Sequence, residues 1–291
     1  VPDVIAYPVA AKVLSAADHD LFLKAYAAGA KGDWAAAMTL GNQGSDTTAR
    51  QLLQWRYVLD RNSGAKFDDI DAMMKTAETW PLKGTLQVRA EAAITPDMTA
   101  QHIIQWFTDR NPVSSIGRVR LGEAQVATGQ ADKGGPMIAR GWAEGSFDDA
   151  TEQQILSQDA AYLTPQSDMR RLDNLIWRGE TTAARRQMTR VDAKTAAVAR
   201  ARIALAGGTK SARTALAAVK GSTDPELLYS WARALRLEHK DNDAHKMLMR
   251  VTPTKLVSEH AARWWAEVNV QARDMLREHD ADGALAMVKH A

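Results

Sequence analysis

Apolar residues recur along this chain at i, i+3, i+4 and i+7, the spacing of one face of an α-helix. Ala212, Ala215, Leu216 and Val219 show it, and so do Ala244, Met247, Leu248 and Val251. Ala261, Trp265, Val268, Ala272 and Met275 extend one such stripe over about four turns. The period-two alternation of a half-buried strand is missing. Roughly 50 alanines, the strongest helix formers, point the same way. The sequence predicts helices only.

Local start signals agree. Thr95-Pro96 and Thr164-Pro165 each set an N-cap hydroxyl before a proline suited to the first helical position. Thr223-Asp224-Pro225-Glu226 has the spacing of a capping box, with Thr223 as cap and Glu226 three residues on.

The helices come in pairs. Ala25 to Leu40 turns at Gly29–Asp33, and Leu121 to Ile138 turns at Gly129–Asp132. Leu172 to Val191 turns at Gly179–Thr181, and Ala199 to Val219 at Gly207–Thr209. Leu227 to Val251 turns at His239–Asp243, and Val268 to Val288 at His279–Gly283. From Gly179 onward the turns fall about 30 to 40 residues apart, the period of helix-pair repeats. One pair cannot bury its own stripe, so neighbours must stack. The expectation is a single superhelical α-solenoid of antiparallel helix pairs over residues 1–291, similar to tetratricopeptide repeats.

Composition excludes several classes of function. With 37 basic and 35 acidic residues, the net charge of +2 argues against a dedicated nucleic-acid binder. No window approaches eighteen uninterrupted apolar residues, so no membrane-spanning helix is predicted. Cysteine is absent, which removes disulfides, thiolate metal sites and cysteine nucleophiles. The chain opens Val1-Pro2-Asp3 with no initiator methionine, which a cleaved signal peptide or a trimmed chain would equally explain.

Catalytic and metal-binding patterns are missing as well. Among seven histidines the nearest two, His239 and His245, are six apart with no glutamate in the zinc-protease position. Asp241-Asn242-Asp243 starts like a calcium loop but lacks the glycine and the bidentate glutamate that complete one. No glycine-rich nucleotide loop and no nucleophile elbow occurs. No metal, cofactor or catalytic residue is expected.

Two features remain. Of nine tryptophans, Trp55, Trp106, Trp177 and Trp231 lie beside apolar neighbours, as wedges between helices do; a sugar-stacking platform is the alternative. Trp264-Trp265 differs, since adjacent helical residues diverge by about 100° and both are hard to bury. The charge is also uneven: between Thr164 and Lys220 twelve basic residues face four acidic ones. Arg170, Arg185, Arg186 and Arg190, flanking Gly179, are the candidate substrate-binding residues for a polyanion. Local pairing with Asp168, Asp173 and Glu180 is the alternative.

The stretch Thr164-Pro165 and Met169 to Gly179, with Ala183 to Met188, resembles the soluble lytic murein transglycosylases, most of all their α-proteobacterial branch. Trp55-Arg56-Tyr57, Trp80-Pro81, Arg89-Ala90-Glu91, Leu121 to Ala124, Thr128-Gly129, Gly141-Trp142 and Ala201 to Leu205 are similar to the same family. The resemblance implies the superhelical N-terminal part of a periplasmic protein, carried there by a removed signal peptide. The family's lysozyme-like domain cleaves peptidoglycan to 1,6-anhydro products with one glutamate. That Glu-Ser motif and the family's Gly-Leu-Met-Gln stretch occur nowhere here, so the resemblance transfers no catalytic residue and implies a chain inactive alone. Its implied partners are peptidoglycan, the catalytic domain and other cell-wall proteins. A free-standing helical-repeat adaptor for protein partners is the competing expectation.

Overall fold

The computed structural model describes residues 14–76, 80–251 and 261–290. Val1-Pro2-Asp3, on which the expectation of a removed leader rests, lies outside them. Among the described residues the chain forms seventeen α-helices, two short 3-10 turns and no strand, as the sequence predicts. None of these helices is long and apolar enough to cross a membrane. Contacts divide the chain into two compact units, Val1–Gly141 and Trp142–Ala291.

The first unit holds α1 (Ala16–Ala30), α2 (Trp34–Gly41), α3 (Thr47–Leu59), α4 (Phe67–Thr76), α5 (Lys83–Ala92), α6 (Ala100–Trp106), α7 (Ser115–Ala127) and most of α8 (Ala131–Glu144). Val58, Ile70, Leu86, Ile103, Trp106 and Leu121 form its main core. Trp106 is a wedge whose polar edge is satisfied: its Nε1 donates to Asp71 at 2.7 Å. Glycine lets α7 and α8 approach closely. A Cβ at Gly122 would lie 2.7 Å from the Gly134 carbonyl oxygen, closer than real Cβ atoms come.

The second unit begins with the last turn of α8. It continues through α9 (Asp149–Gln158), α10 (Pro165–Trp177), α11 (Thr181–Gln187), α12 (Ala193–Leu205), α13 (Thr209–Ala218), α14 (Pro225–Leu237), α15 (Asp241–Leu248), α16 (Ala261–Arg277) and α17 (Ala281–His290). Each helix packs on its partner across a short turn in α10–α11, α12–α13, α14–α15 and α16–α17, as α1 does on α2 in the first unit. The first helices also touch in sequence, α10 on α12 and α12 on α14.

One turn geometry recurs. Gly32, Gly129, Gly179, His239 and His279 all take positive φ directly after a helix. The next residue then donates its amide to a carbonyl five residues back: Asp33 to Ala28, Gln130 to Gln125, Glu180 to Leu175, Lys240 to Leu235 and Asp280 to Met275. This closes the helix end, and glycine suits the left-handed residue. His239 and His279 hold the same place without glycine's freedom, so those turns carry modest strain.

The α12–α13 turn departs from this pattern in an instructive way. After Gly208, the Thr209 amide donates to the Glu238 carboxylate at 2.5 Å, and the Thr209 hydroxyl donates to it at 2.6 Å. The Lys240 ammonium donates to the same carboxylate at 2.6 Å. Lys240 first, then the Thr209 hydroxyl and amide, hold the Glu238 carboxyl down from 4.5 to about 2. A depressed folded pKa gives stability that is complete above about 4.5 and is lost as pH falls toward about 2. Glu238→Gln is therefore expected to flatten the acid limb of the stability curve within that window. An unchanged acid limb in denaturant titrations at pH 6 and pH 3 would show that the contact is too solvated to matter.

Two cap assignments need correction. Thr164 does cap α10, in a reciprocal box with Ser167 and with Pro165 at the first position. Thr95-Pro96 starts no helix; it closes a turn, and Thr99 caps α6 by accepting from the His102 amide at 3.2 Å. At α14 the cap is Asp224 rather than Thr223, accepting from the Leu227 amide at 2.8 Å. Pro225 decides this, because proline at the first helical position makes the residue before it the cap. The stripe of α16 holds at Val268, Ala272 and Met275 but departs from the sequence expectation in its first turn. Trp264 is buried beside Val268, Ala272 and Met275, while Ala261 and Trp265 face solvent.

Candidate functional site

Helix α10 organises the second unit because its successive faces do different jobs. Leu172 and Leu175 point into an apolar cluster with Ala184 and Ala199. Arg171, Asn174 and Arg178, spaced at helical intervals, face residues Trp142–Gly145. Arg171 Nη1 donates to the Trp142 and Gly145 carbonyls at 3.2 and 2.7 Å. Asn174 donates to the Ala143 carbonyl at 2.9 Å and Arg178 to that of Glu144 at 2.7 Å. All four carbonyls lie at the C-terminal end of α8, where intrahelical donors run out. Cationic donors there also meet the negative end of the helix dipole.

Arg171 is fully buried. Its guanidinium lies 4.0 Å from the Trp142 ring centre and 5.0 Å from that of Phe147, and Nη2 meets Glu152 at 3.1 Å. Burial pulls its pKa below the ordinary arginine value, and Glu152 opposes that shift. Beside it, Trp142 Nε1 donates to Asp168 at 2.8 Å.

Of the four arginines singled out in the sequence, two are tied to carboxylates. Arg186 donates to both oxygens of Glu152, at 3.2 and 2.9 Å, and Arg190 to both of Asp168, at 2.9 and 3.0 Å. Arg170 and Arg185 are exposed. None of the four lines the cavity described next.

The cavity lies where α10, α12, α14 and α16, the first helices of four successive pairs, converge; its volume is about 640 Å³. Four guanidiniums line it, those of Arg202, Arg233, Arg236 and Arg263, with Glu267 as the lining carboxylate. Two arginines are spoken for. Arg236 makes a two-pronged pair with Glu267 at 2.6 and 2.9 Å, a bond that raises its pKa. Arg202, which is buried, meets Asp173 at 2.5 Å and leaves its Nε without a partner.

The other two are not neutralised. Arg263 donates to the Trp177 carbonyl at 2.7 Å, with its guanidinium 5.2 Å from the Trp177 ring centre. Arg233 stands one helical turn after Tyr229, whose pKa is raised above the usual tyrosine range by burial, the largest influence, with Arg233 opposing the shift. Neither has a carboxylate partner among the described residues. Trp177 also takes Arg202 at 5.6 Å and tilts onto Tyr229 at 5.0 Å. The aromatic pair thus supports guanidiniums and leaves little open ring for a sugar. The cavity thus sets four guanidiniums and one carboxylate beside an apolar lip at Leu237 and Val270.

Arg233 and Arg263 lie outside the basic stretch between Thr164 and Lys220, which is why charge counting overlooks them. Repeat register carries a signal for one of them: Arg202 and Arg233 each stand six residues before a positive-φ turn residue, Gly208 and His239.

Among the described residues no group of three histidine, cysteine or acidic side chains could hold a metal ion. Compared with protein-family models, curated proteins and solved structures, the chain matches none.

Proposed function

We propose that the chain is a non-catalytic helical-repeat module that holds or guides peptidoglycan, as the superhelical part of a periplasmic lytic transglycosylase. The observation that carries the proposal is the cavity in which Arg233 and Arg263 present charge without a carboxylate partner among the described residues. Peptidoglycan bears free carboxylates at intervals, which guanidiniums bind by two parallel hydrogen bonds. The resemblance of α10 to that family supplies the cell-wall context. The lining of one cavity by the first helices of four pairs supports a solenoid like that of tetratricopeptide repeats, with its ligand on the inner face.

The test is co-sedimentation with purified sacculi. The chain is expected to pellet at low salt and to be released as ionic strength rises, because partly exposed ion contacts are screened over about 8 to 10 Å. It should liberate no 1,6-anhydro muropeptides on its own. Failure to pellet at low salt would refute the proposal. The exposed apolar lip is the feature that favours the adaptor reading instead, and salt-insensitive capture of one protein partner would support it.

A further inference from the structure

We infer that the arginine cavity reads the free carboxylates of the peptidoglycan stem peptide and not the glycan strand, an inference that rests on the peptidoglycan reading above. Three observations bear on the choice.

The first is where the aromatic surface goes. A pyranose is held by an open ring face, yet Trp177 has Arg202 and Arg263 over it and Tyr229 against it, and Tyr229 is itself buried. The second is the state of the cations. Trp177 and its carbonyl hold Arg263, so that fork is fixed before a ligand arrives, and Arg233 lines the same cavity without a carboxylate partner among the described residues. Fixing a long side chain beforehand lowers the entropic cost of binding. Arg202 adds a buried Nε that lacks an acceptor. The neutral N-acetyl sugars offer these groups no charge, whereas the stem peptide offers carboxylates.

The third is size and lining. A volume of about 640 Å³ suits a ligand of a few residues. The lip of Leu237, Ala266 and Val270 would receive the alanine methyls that alternate with the acidic residues of such a peptide.

Isothermal titration with three soluble probes tests this: the tetrapeptide L-Ala-γ-D-Glu-diaminopimelate-D-Ala, its carboxamide form, and a peptide-free GlcNAc–MurNAc oligomer. The tetrapeptide acid is expected to bind, the carboxamide about tenfold or more weakly, and the glycan not measurably. Arg233→Gln and Arg263→Gln should each weaken the acid about tenfold, in line with loss of a charged hydrogen bond. Lys24→Gln, at an exposed position on α1, should not. The comparison of acid with carboxamide uses the unaltered chain, so it stands even if a variant folds poorly.

Binding of the glycan without the peptide overturns the inference and leaves the peptidoglycan reading intact. So does retention on sacculi with no affinity for any probe. Equal binding of an all-L tripeptide acid, such as Ala-Ala-Leu, overturns it in favour of a protein tail as ligand. Absence of sacculus retention at low salt removes the underlying reading itself.

Discussion

Arg171→Ala is expected to cost the second unit about 3–5 kcal/mol, the range for breaking a buried ion pair from one side. The side chain is fully buried and makes three kinds of contact at once. It bonds two carbonyls at the end of α8, pairs with Glu152 and stacks between Trp142 and Phe147. Alanine strips the carbonyls of their donor and opens a void beneath the aromatic rings. It also leaves Glu152, which is itself buried, with Arg186 as its remaining described ion-pair partner.

Arg171→Lys should recover little, because one ammonium cannot span Gly145 and Glu152 while lying flat on an indole. Arg171→Met is the informative control. It fills the space but bonds nothing, so its difference from alanine separates packing from hydrogen bonding. Denaturant unfolding of the three variants decides the matter. A cost below about 1 kcal/mol for Arg171→Ala would mean that water satisfies these carbonyls, as it does for exposed helix ends.

The same residue shows what the sequence could and could not convey. Helix pairs, their turns and most of their boundaries were readable, because apolar period and turn chemistry are local properties. The turns at Gly179 and His239 lie where expected, and Ala212, Leu216, Ala244 and Leu248 are buried as their spacing predicts. Caps were readable only to within a few residues, since Thr99 competes with Thr95 and Asp224 with Thr223.

Long-range polar pairing was not legible. Arg171, Arg186 and Arg190 look alike in a count of charges, yet each is committed to a carboxylate 19 to 34 residues away. Nothing local distinguishes them from Arg233 and Arg263, which keep charge available at the cavity. The Trp264-Trp265 pair did show that one ring must stay out, but not which one. The ring that is buried, Trp264, belongs to the core cluster of Leu228 and Val251.

The second large effect is expected in the first unit, where Glu91 and Gly117 form one device. Glu91 is fully buried, and no lysine or arginine pairs with it among the described residues. Its charge is met instead by the start of α7. The Val113 and Ser114 amides donate to it at 2.8 and 2.7 Å, the Ser114 hydroxyl donates as well, and Gln87 Nε2 donates at 2.9 Å. The positive end of the α7 dipole lies behind these groups. Removing the acceptor orphans several buried donors together, so Glu91→Ala is expected to cost about 3 kcal/mol. Gly117 sits so close that a Cβ there would overlap the carboxylate. Gly117→Ala should therefore destabilise by about 1–3 kcal/mol through overpacking. With Glu91 already replaced by alanine the obstruction is gone. The same substitution should then stabilise by about 0.5–1 kcal/mol, the ordinary preference of a helix interior for alanine over glycine. A double-mutant cycle read by urea unfolding measures this reversal directly. Equal costs for Gly117→Ala in both backgrounds would show that the glycine serves the α7 backbone and not the buried carboxylate.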